Sequence, residues 1–206
     1  MHIINTIVLE MKKVDQIYHP CNVIQWKLGS PKDYQKACIN KLYEIGDECN
    51  NETNVQAPMT NYYMWEDYPL FHLLLKKIYE KIINEPLNNF LFDKMFTNLL
   101  TPRITNAWGT IYSKDHFTFP HIHLPSLYSF VYYLQVDDTT PPLVFDGAKY
   151  HINPSEDLLI GFPAYVEHSV PKSKSDKDRI VIAGNIDMLR KSHLTEDEMD
   201  TCWAPS

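Results

Sequence analysis

The feature that most constrains the fold is a change of hydrophobic period near residue 100. Before it, apolar residues recur at helical spacing. After it, the chain becomes a series of short β-branched and aromatic segments separated by turn residues. Arg103 to Tyr112, Ser126 to Val136, Leu143 to Phe145, Asp157 to Phe162, Val166 to Val170 and Arg179 to Ile186 read as strands. In the first of these, alternation puts Ile104, Trp108 and Tyr112 on one face. Asp146-Gly147 is a turn signal after the third. Short strands spaced this evenly predict an antiparallel sandwich or barrel.

The first hundred residues carry the helices. Ser30-Pro31-Lys32-Asp33 predicts a helix start, with Ser30 as cap and proline in the first turn, and the helix is expected to run to about Cys49. Asn50 to Asn54 reads as a loop. Asp67-Tyr68-Pro69 starts a second helix, in which Leu70, Leu74, Ile78 and Ile82 recur every four residues beside Phe71, Leu75 and Ile83, until Pro86 ends it. The plain reading of this stripe is core packing. Met1 to Glu10 reads as a strand rather than a signal peptide. Helices gathered before a run of strands pack outside one sheet. No linker separates the halves. The expectation is an α+β, mainly β, single domain over 1–206, with a helix-rich part over 1–100 buttressing a sandwich built from 101–190.

Composition narrows the function classes. An apolar content of 44% with 22% charged residues is that of a globular protein. A net charge of -7, from 19 basic and 26 acidic residues, argues against a general nucleic-acid binder. Cys21, Cys38, Cys49 and Cys202 form no C-x-x-C pair, which suggests reduced thiols and a cytoplasmic protein. No apolar run is long enough for a bilayer, so no membrane partner is expected.

The chemistry lies in the strand region. In His121-Ile122-His123 the imidazoles sit at i and i+2, which share one face of a strand. His168 follows, and Arg179 comes after it. Two imidazoles on one face share a metal, and a third from another strand closes a facial set. An arginine beside such a set is a partner for a carboxylate substrate, or else belongs to an internal salt bridge. The polar segment between His168 and Arg179 reads as a hairpin loop centred on Ser173-Lys174, which would set the two residues opposite each other. After it, Arg179, Val181, Ala183 and Asn185 share one face with room for a ligand, and Ile180, Ile182 and Ile186 share the core face. His116 and His151 lie nearby in sequence; His2, His19, His72 and His193 read as ordinary.

Residues 106–186 resemble the Fe(II)/2-oxoglutarate-dependent oxygenases, especially their compact bacterial and phage-type branch. The resemblance rests on an ordered set: Trp108 to Tyr112, His121-Ile122-His123-Leu124-Pro125, Ser129-Phe130-Val131-Tyr132-Tyr133-Leu134, Pro141 to Phe145, Gly161-Phe162-Pro163 to His168, and Arg179 to Asn185. It implies a double-stranded β-helix, or jelly roll, with helices against one sheet. It implies His121 and His168 as metal ligands and Arg179 as the residue that binds the distal carboxylate of 2-oxoglutarate; His123, at the third ligand position of this chain, is expected to complete the metal and catalytic set. It also implies contacts from Asn106 and Tyr132 to co-substrate or substrate.

One departure matters. His123 stands where that superfamily has a carboxylate. Asp115, Asp146 and Glu167 are the other candidates to complete the shell, Glu167 least because it neighbours His168 on a strand. The leading expectation is an Fe(II)- and 2-oxoglutarate-dependent hydroxylase that releases succinate and CO2 and acts on a small molecule or a protein side chain. Trp108, Tyr128, Tyr132 and Tyr133 would line its pocket or serve as core. The loops at Asn50 to Tyr63 and Asp137 to Pro142 would shape the entrance. Two alternatives stay open: a three-histidine zinc hydrolase or cupin-like thiol dioxygenase that does not use 2-oxoglutarate, and a non-catalytic jelly-roll binding module.

Overall fold

The computed structural model describes residues 3–7, 23–50, 53–84, 99–148 and 150–204. Cys21, Pro86, His2 and His19 lie outside the described residues. Two antiparallel sheets face each other, as in a jelly roll. The larger has six strands in the order β1 (Ile3–Ile7), β2 (Val23–Lys27), β9 (Leu158–Pro163), β6 (Tyr128–Gln135), β11 (Arg179–Arg190) and β4 (Leu100–Tyr112). The smaller has five, in the order β3 (Val55–Gln56), β5 (Phe117–His121), β10 (His168–Val170), β7 (Leu143–Phe145) and β8 (Tyr150–Ile152).

Alternation along the strands of the larger sheet divides the apolar residues into two layers. Tyr128, Phe130, Tyr132, Leu134, Ile180, Ile182 and Ile186 face outward to the helices. Val131, Tyr133, Val181 and Ala183 face inward, where Phe145, Val170 and Phe162 meet them. The outer layer is closed by α1 (Lys32–Ile45), α2 (Met64–Asp67) and α3 (His72–Ile83). Leu74, Leu75, Ile78 and Ile82 of α3 are all buried, so the four-residue stripe is core. Burying each such side chain contributes about 1.5–3 kcal/mol.

The helix boundaries depart from expectation. α1 ends at Ile45 rather than near Cys49, because Gly46 adopts φ 74° and its N–H donates to the Leu42 carbonyl. Pro31, not Ser30, occupies the cap position, and no side chain caps the helix. The second helical segment is broken at Tyr68, with a 3-10 turn at Pro69–Phe71 preceding α3.

Two strand expectations are corrected. Ile104 does not share a face with Trp108 and Tyr112. It packs with the helices, whereas those two face inward. The pairing of β11 with β4 slips between Asn185 opposite Asn106 and Ile186 opposite Ile104, so Thr105 is an extra residue, and a bulge reverses the alternation. Nor do His168 and Arg179 form a hairpin pair. β10 belongs to the smaller sheet and β11 to the larger, so the segment between them crosses from one sheet to the other. Ser173 holds that crossing, accepting from Asp115 N–H at 2.8 Å and donating its own N–H to His116 at 2.9 Å.

Among the described residues, no disulfide joins any pair of Cys38, Cys49 and Cys202, and no helix is long and apolar enough to cross a membrane.

Gly184 in β11 admits no side chain: a Cβ there would lie 2.5 Å from the Asn106 carbonyl oxygen and 2.6 Å from the Phe130 ring. Gly184→Ala is therefore expected to destabilise the fold by about 1–3 kcal/mol, read as a lower urea midpoint at an unchanged slope.

Candidate active site

The inner face of the larger sheet carries a ladder of cross-strand neighbours. Arg179 sits opposite Tyr112, Val181 opposite Thr110, Ala183 opposite Trp108 and Asn185 opposite Asn106. On the other side of β11, Val181 faces Tyr133, Ala183 faces Val131 and Asn185 faces Ser129. The expected division of this strand into an open face and an isoleucine face therefore holds. The smaller sheet supplies the opposing wall. There β10 pairs with β5 in a register that sets His168 directly opposite His121.

His121 is the last residue of β5, and His123 lies beyond the strand rather than on it. The strand argument for a shared face thus does not apply to His123, yet the turn achieves the same result. The His123 N–H donates to the Ala164 carbonyl at 2.8 Å, and Ser126 N–H donates back to the His123 carbonyl at 2.9 Å. That turn contains a cis Leu124–Pro125 bond. The three imidazoles converge, with potential ligand atoms within 4.8 Å of one another. His123 Nε2 and His168 Nε2 are 3.3 Å apart. Two nitrogens bound to one ion at about 2.0–2.1 Å would have a similar separation.

The orientation of two rings suits a metal. Nδ1 of His121 lies 2.8 Å from the Phe119 carbonyl, and Nδ1 of His168 lies 3.0 Å from the Val166 carbonyl. A carbonyl only accepts, so each Nδ1 carries the proton and each Nε2 presents a lone pair. The Phe119 carbonyl adjoins an irregularity in β5, where pairing jumps from Val170–Thr118 to His168–His121. Burial, with the neighbouring imidazoles, holds His123 and His168 down to about 3. Burial also lowers His121. Neutral imidazoles are the metal-binding form.

Among the described residues, these three histidines are the one group placed to hold a metal ion. Asp115, Asp146 and Glu167 stand outside it, as do His116 and His151. His116 is used locally, its Nδ1 accepting from the Ser113 N–H at 3.0 Å.

Arg179 lines the same cavity as the three histidines. It is only 1% exposed, and its Nε and Nη1 have no hydrogen-bond partner among the described residues. Its Nη2 donates to the Tyr133 hydroxyl at 3.3 Å, and its guanidinium carbon lies 4.9 Å from the centre of the Tyr112 ring and 5.2 Å from that of Tyr133. Among the described residues no carboxylate forms a salt bridge with it, which speaks against the internal-salt-bridge reading. The buried Thr110 hydroxyl in the same cavity is also without a partner. Burial pushes the Tyr112 and Tyr133 phenols up while the Arg179 charge pulls them down.

Asn106 and Tyr132 fare differently. Asn106 lies at the outer end of the site, lining a hollow of about 120 Å³ with His121, His123, Trp108, Asn54 and Tyr62. Tyr132 faces the helices, and its hydroxyl donates to Asp157 at 2.8 Å. Alternation in β6 decides this: Tyr133 points inward to Arg179, so Tyr132 must point outward. Tyr128 also faces the helices. Of the expected aromatic lining, Trp108 faces the cavity and Tyr133 holds Arg179. Tyr112 and Thr110 were not singled out from sequence as partners of Arg179. Their link to it is the β4–β11 register, for which the sequence has no local signal.

The inner chamber beside Arg179 has about 40 Å³ of free space, the hollow outside the histidines about 120 Å³, and the surface basin beyond it about 670 Å³. Thr53, Asn54 and Tyr62 line both of the outer spaces, so the site opens past the 50–63 loop as expected. The 137–142 loop does not share this role: Asp137, Asp138 and Thr140 border a separate hollow with Asn153 to Glu156.

No known family model matches the sequence, and no curated protein matches it. Solved structures do match in three dimensions. The viral collagen prolyl hydroxylase vCPH of Paramecium Bursaria Chlorella virus-1 aligns at a TM-score of 0.59 and 14% identity, over 89% of this chain and 98% of the viral one. A Pseudomonas putida prolyl-4-hydroxylase aligns at 0.56 and 16% identity, over 80% and 92%. HygX of Streptomyces hygroscopicus, with nickel and 2-oxoglutarate bound, aligns at 0.57 and 10% identity, over 89% and 92%. The chain thus has the jelly-roll fold of 2-oxoglutarate–Fe(II) oxygenases, with a cluster of three histidines between its sheets.

Proposed function

We propose that this protein is a metal- and 2-oxoglutarate-dependent oxygenase that hydroxylates a C–H bond, with release of succinate and CO2. The observation that carries this reading is Arg179: a buried, unpaired guanidinium in the same cavity as three neutral imidazoles. A buried cation without a counter-ion is costly, so the position calls for an anion. A ligand that chelates metal at one end and carries a carboxylate at the other satisfies both parts of the cavity.

The donor set fits a divalent ion through His121, His123 and His168, with Fe(II) proposed and zinc, nickel or copper also suited to imidazole. The iron, with 2-oxoglutarate and dioxygen, would supply the oxidising chemistry. The rest falls to the chain. Arg179 binds the distal carboxylate through its free Nε and Nη1, and the Thr110 and Tyr133 hydroxyls lie beside it as hydrogen-bonding groups. Val170, Val181, Leu143 and Phe162 keep that end dry, which strengthens the ion pair. The inner chamber is room for little more than a water molecule or two. Entry of a five-carbon diacid would therefore widen it. The substrate, a small molecule or a protein side chain, would arrive past Tyr62, Asn54 and Asn106.

Anaerobic addition of Fe(II) and 2-oxoglutarate is expected to produce a metal-to-ligand charge-transfer band, and admitting oxygen is expected to yield succinate. Absence of both, with one equivalent of tightly held zinc, would overturn the reading. Arg179→Ala is expected to weaken 2-oxoglutarate binding by on the order of 30-fold or more, from the roughly 2–5 kcal/mol that a buried charged partner is worth. Metal stoichiometry of that variant should stay at one. His168→Ala should reduce metal affinity by more than the roughly 10–100-fold typical of outer-shell changes, measured by competition with a chromophoric chelator.

A further inference from the structure

His123 differs from the other two imidazoles in what stands behind it. Their Nδ1 atoms face carbonyls. Its Nδ1 faces an amide, Asn185 Nδ2, at 3.4 Å. That amide belongs to a chain of side chains across three strands. The Ser129 hydroxyl donates to Asn185 Oδ1 at 2.7 Å, and Asn185 Nδ2 donates to Asn106 Oδ1 at 2.6 Å. Asn185 is only 5% exposed, and its direct cross-strand partners are Asn106 and Ser129.

With both amides oriented this way, proton counting along this chain has one solution. Asn185 Nδ2 has two hydrogens, one for Asn106 and one for His123 Nδ1. His123 Nδ1 then accepts, so its proton sits on Nε2. From there it points at His168 Nε2, 3.3 Å away, whose lone pair is free because His168 Nδ1 donates to Val166. The donors of Ser129, Asn185, His123 and His168 then each have an acceptor. But a proton on His123 Nε2 occupies the lone pair that a metal requires.

A second solution exists because an asparagine amide can turn over, exchanging its oxygen and nitrogen. With Asn185 turned, Oδ1 faces His123 and accepts from a protonated Nδ1, while Nδ2 donates to the Ser129 hydroxyl. Asn106 must turn as well, to donate to Asn185 Oδ1. His123 Nε2 is then a free lone pair directed at the metal site.

We propose that Asn185 is a positioning residue whose amide, coupled to Asn106 and Ser129, sets the tautomer of His123 and so switches this imidazole between a metal-refusing and a metal-binding form. The inference rests on the three-histidine reading of the site. It assigns the side chains that support the imidazole standing where a carboxylate is usual: a carboxylate needs no tautomer, whereas an imidazole does.

The test uses zinc, which is diamagnetic, and the full chain labelled with nitrogen-15 at histidine. In the metal-free wild type, His123 is expected to carry its proton on Nε2; in the zinc-bound wild type, on Nδ1. Two substitutions of equal charge should act in opposite directions. Asn185→Asp places a pure acceptor behind His123 Nδ1 and is expected to tighten zinc by about tenfold or more. Asn106→Asp places a pure acceptor behind Asn185, which pins Nδ2 toward both neighbours, and is expected to weaken zinc by about tenfold or more. If both variants tighten zinc alike, the effect is simple charge and the inference is overturned. A proton on His123 Nδ1 in both metal states overturns it too. Should either aspartate prevent folding, the wild-type tautomers decide alone. A folded wild type that binds no zinc overturns the site as well, whereas zinc binding with the wrong tautomers overturns only the role of Asn185.

Discussion

The pairing of β10 with β5 is the constraint on which the site depends. These strands are short, and their ladder sets His168 opposite His121. A register shifted by one residue would turn every imidazole on the moved strand away from the cavity. The pairing is held by what surrounds it. Phe145 and Phe162 lie against His168, with ring centres 6.4 and 4.7 Å from it, and β7 pairs on the far side of β10. The crossing at Ser173 then returns the chain to the larger sheet, so that β11 lies between β4 and β6 with Arg179 facing inward.

Electrostatics and packing serve each other in this cavity. Apolar walls remove water, which keeps the imidazoles neutral and leaves the guanidinium without the solvent that would satisfy it. The same dryness that makes Arg179 costly in isolation makes it a strong partner for a carboxylate. Tyr112 and Tyr133 moderate that cost by offering ring faces to the cation. The polar chain of Ser129, Asn185 and Asn106 occupies the outer end of the same face, where the site opens to the surface. One strand face therefore carries a cationic end, an apolar middle and an amide end, each set by alternation along β11.

Much of the fold was legible because burial imposes periodicity. The stripe in α3 and the isoleucine face of β11 are local patterns, and both lie where the patterns put them. The inner face of β11 that carries Arg179 was legible because the residues at alternate positions after it are small or polar. What failed did so for identifiable reasons. A one-residue bulge at Thr105 inverted the face of Ile104. The loop before Arg179 looks like a hairpin turn but crosses between sheets, and local composition does not distinguish the two. Tyr132 and Tyr133 are adjacent, and only the pairing of β6 says which of them faces inward.

The sequence by itself determined the strand-rich second half, the helices of the first half and the short list of chemically unusual residues: His121, His123, His168 and Arg179. These follow from side-chain chemistry and from periods of two and 3.6, which are local properties. That β2 and β3, also in the first half, join the two sheets was decided by tertiary pairing. Only the tertiary structure decided that His123 joins the other two from beyond the end of its strand, that Arg179 is buried without a counter-ion among the described residues, and that Asn185 stands between His123 and Asn106. Each of these depends on contacts between segments far apart in the chain, and their geometry is fixed by how two sheets twist and pack rather than by any residue's neighbours in sequence.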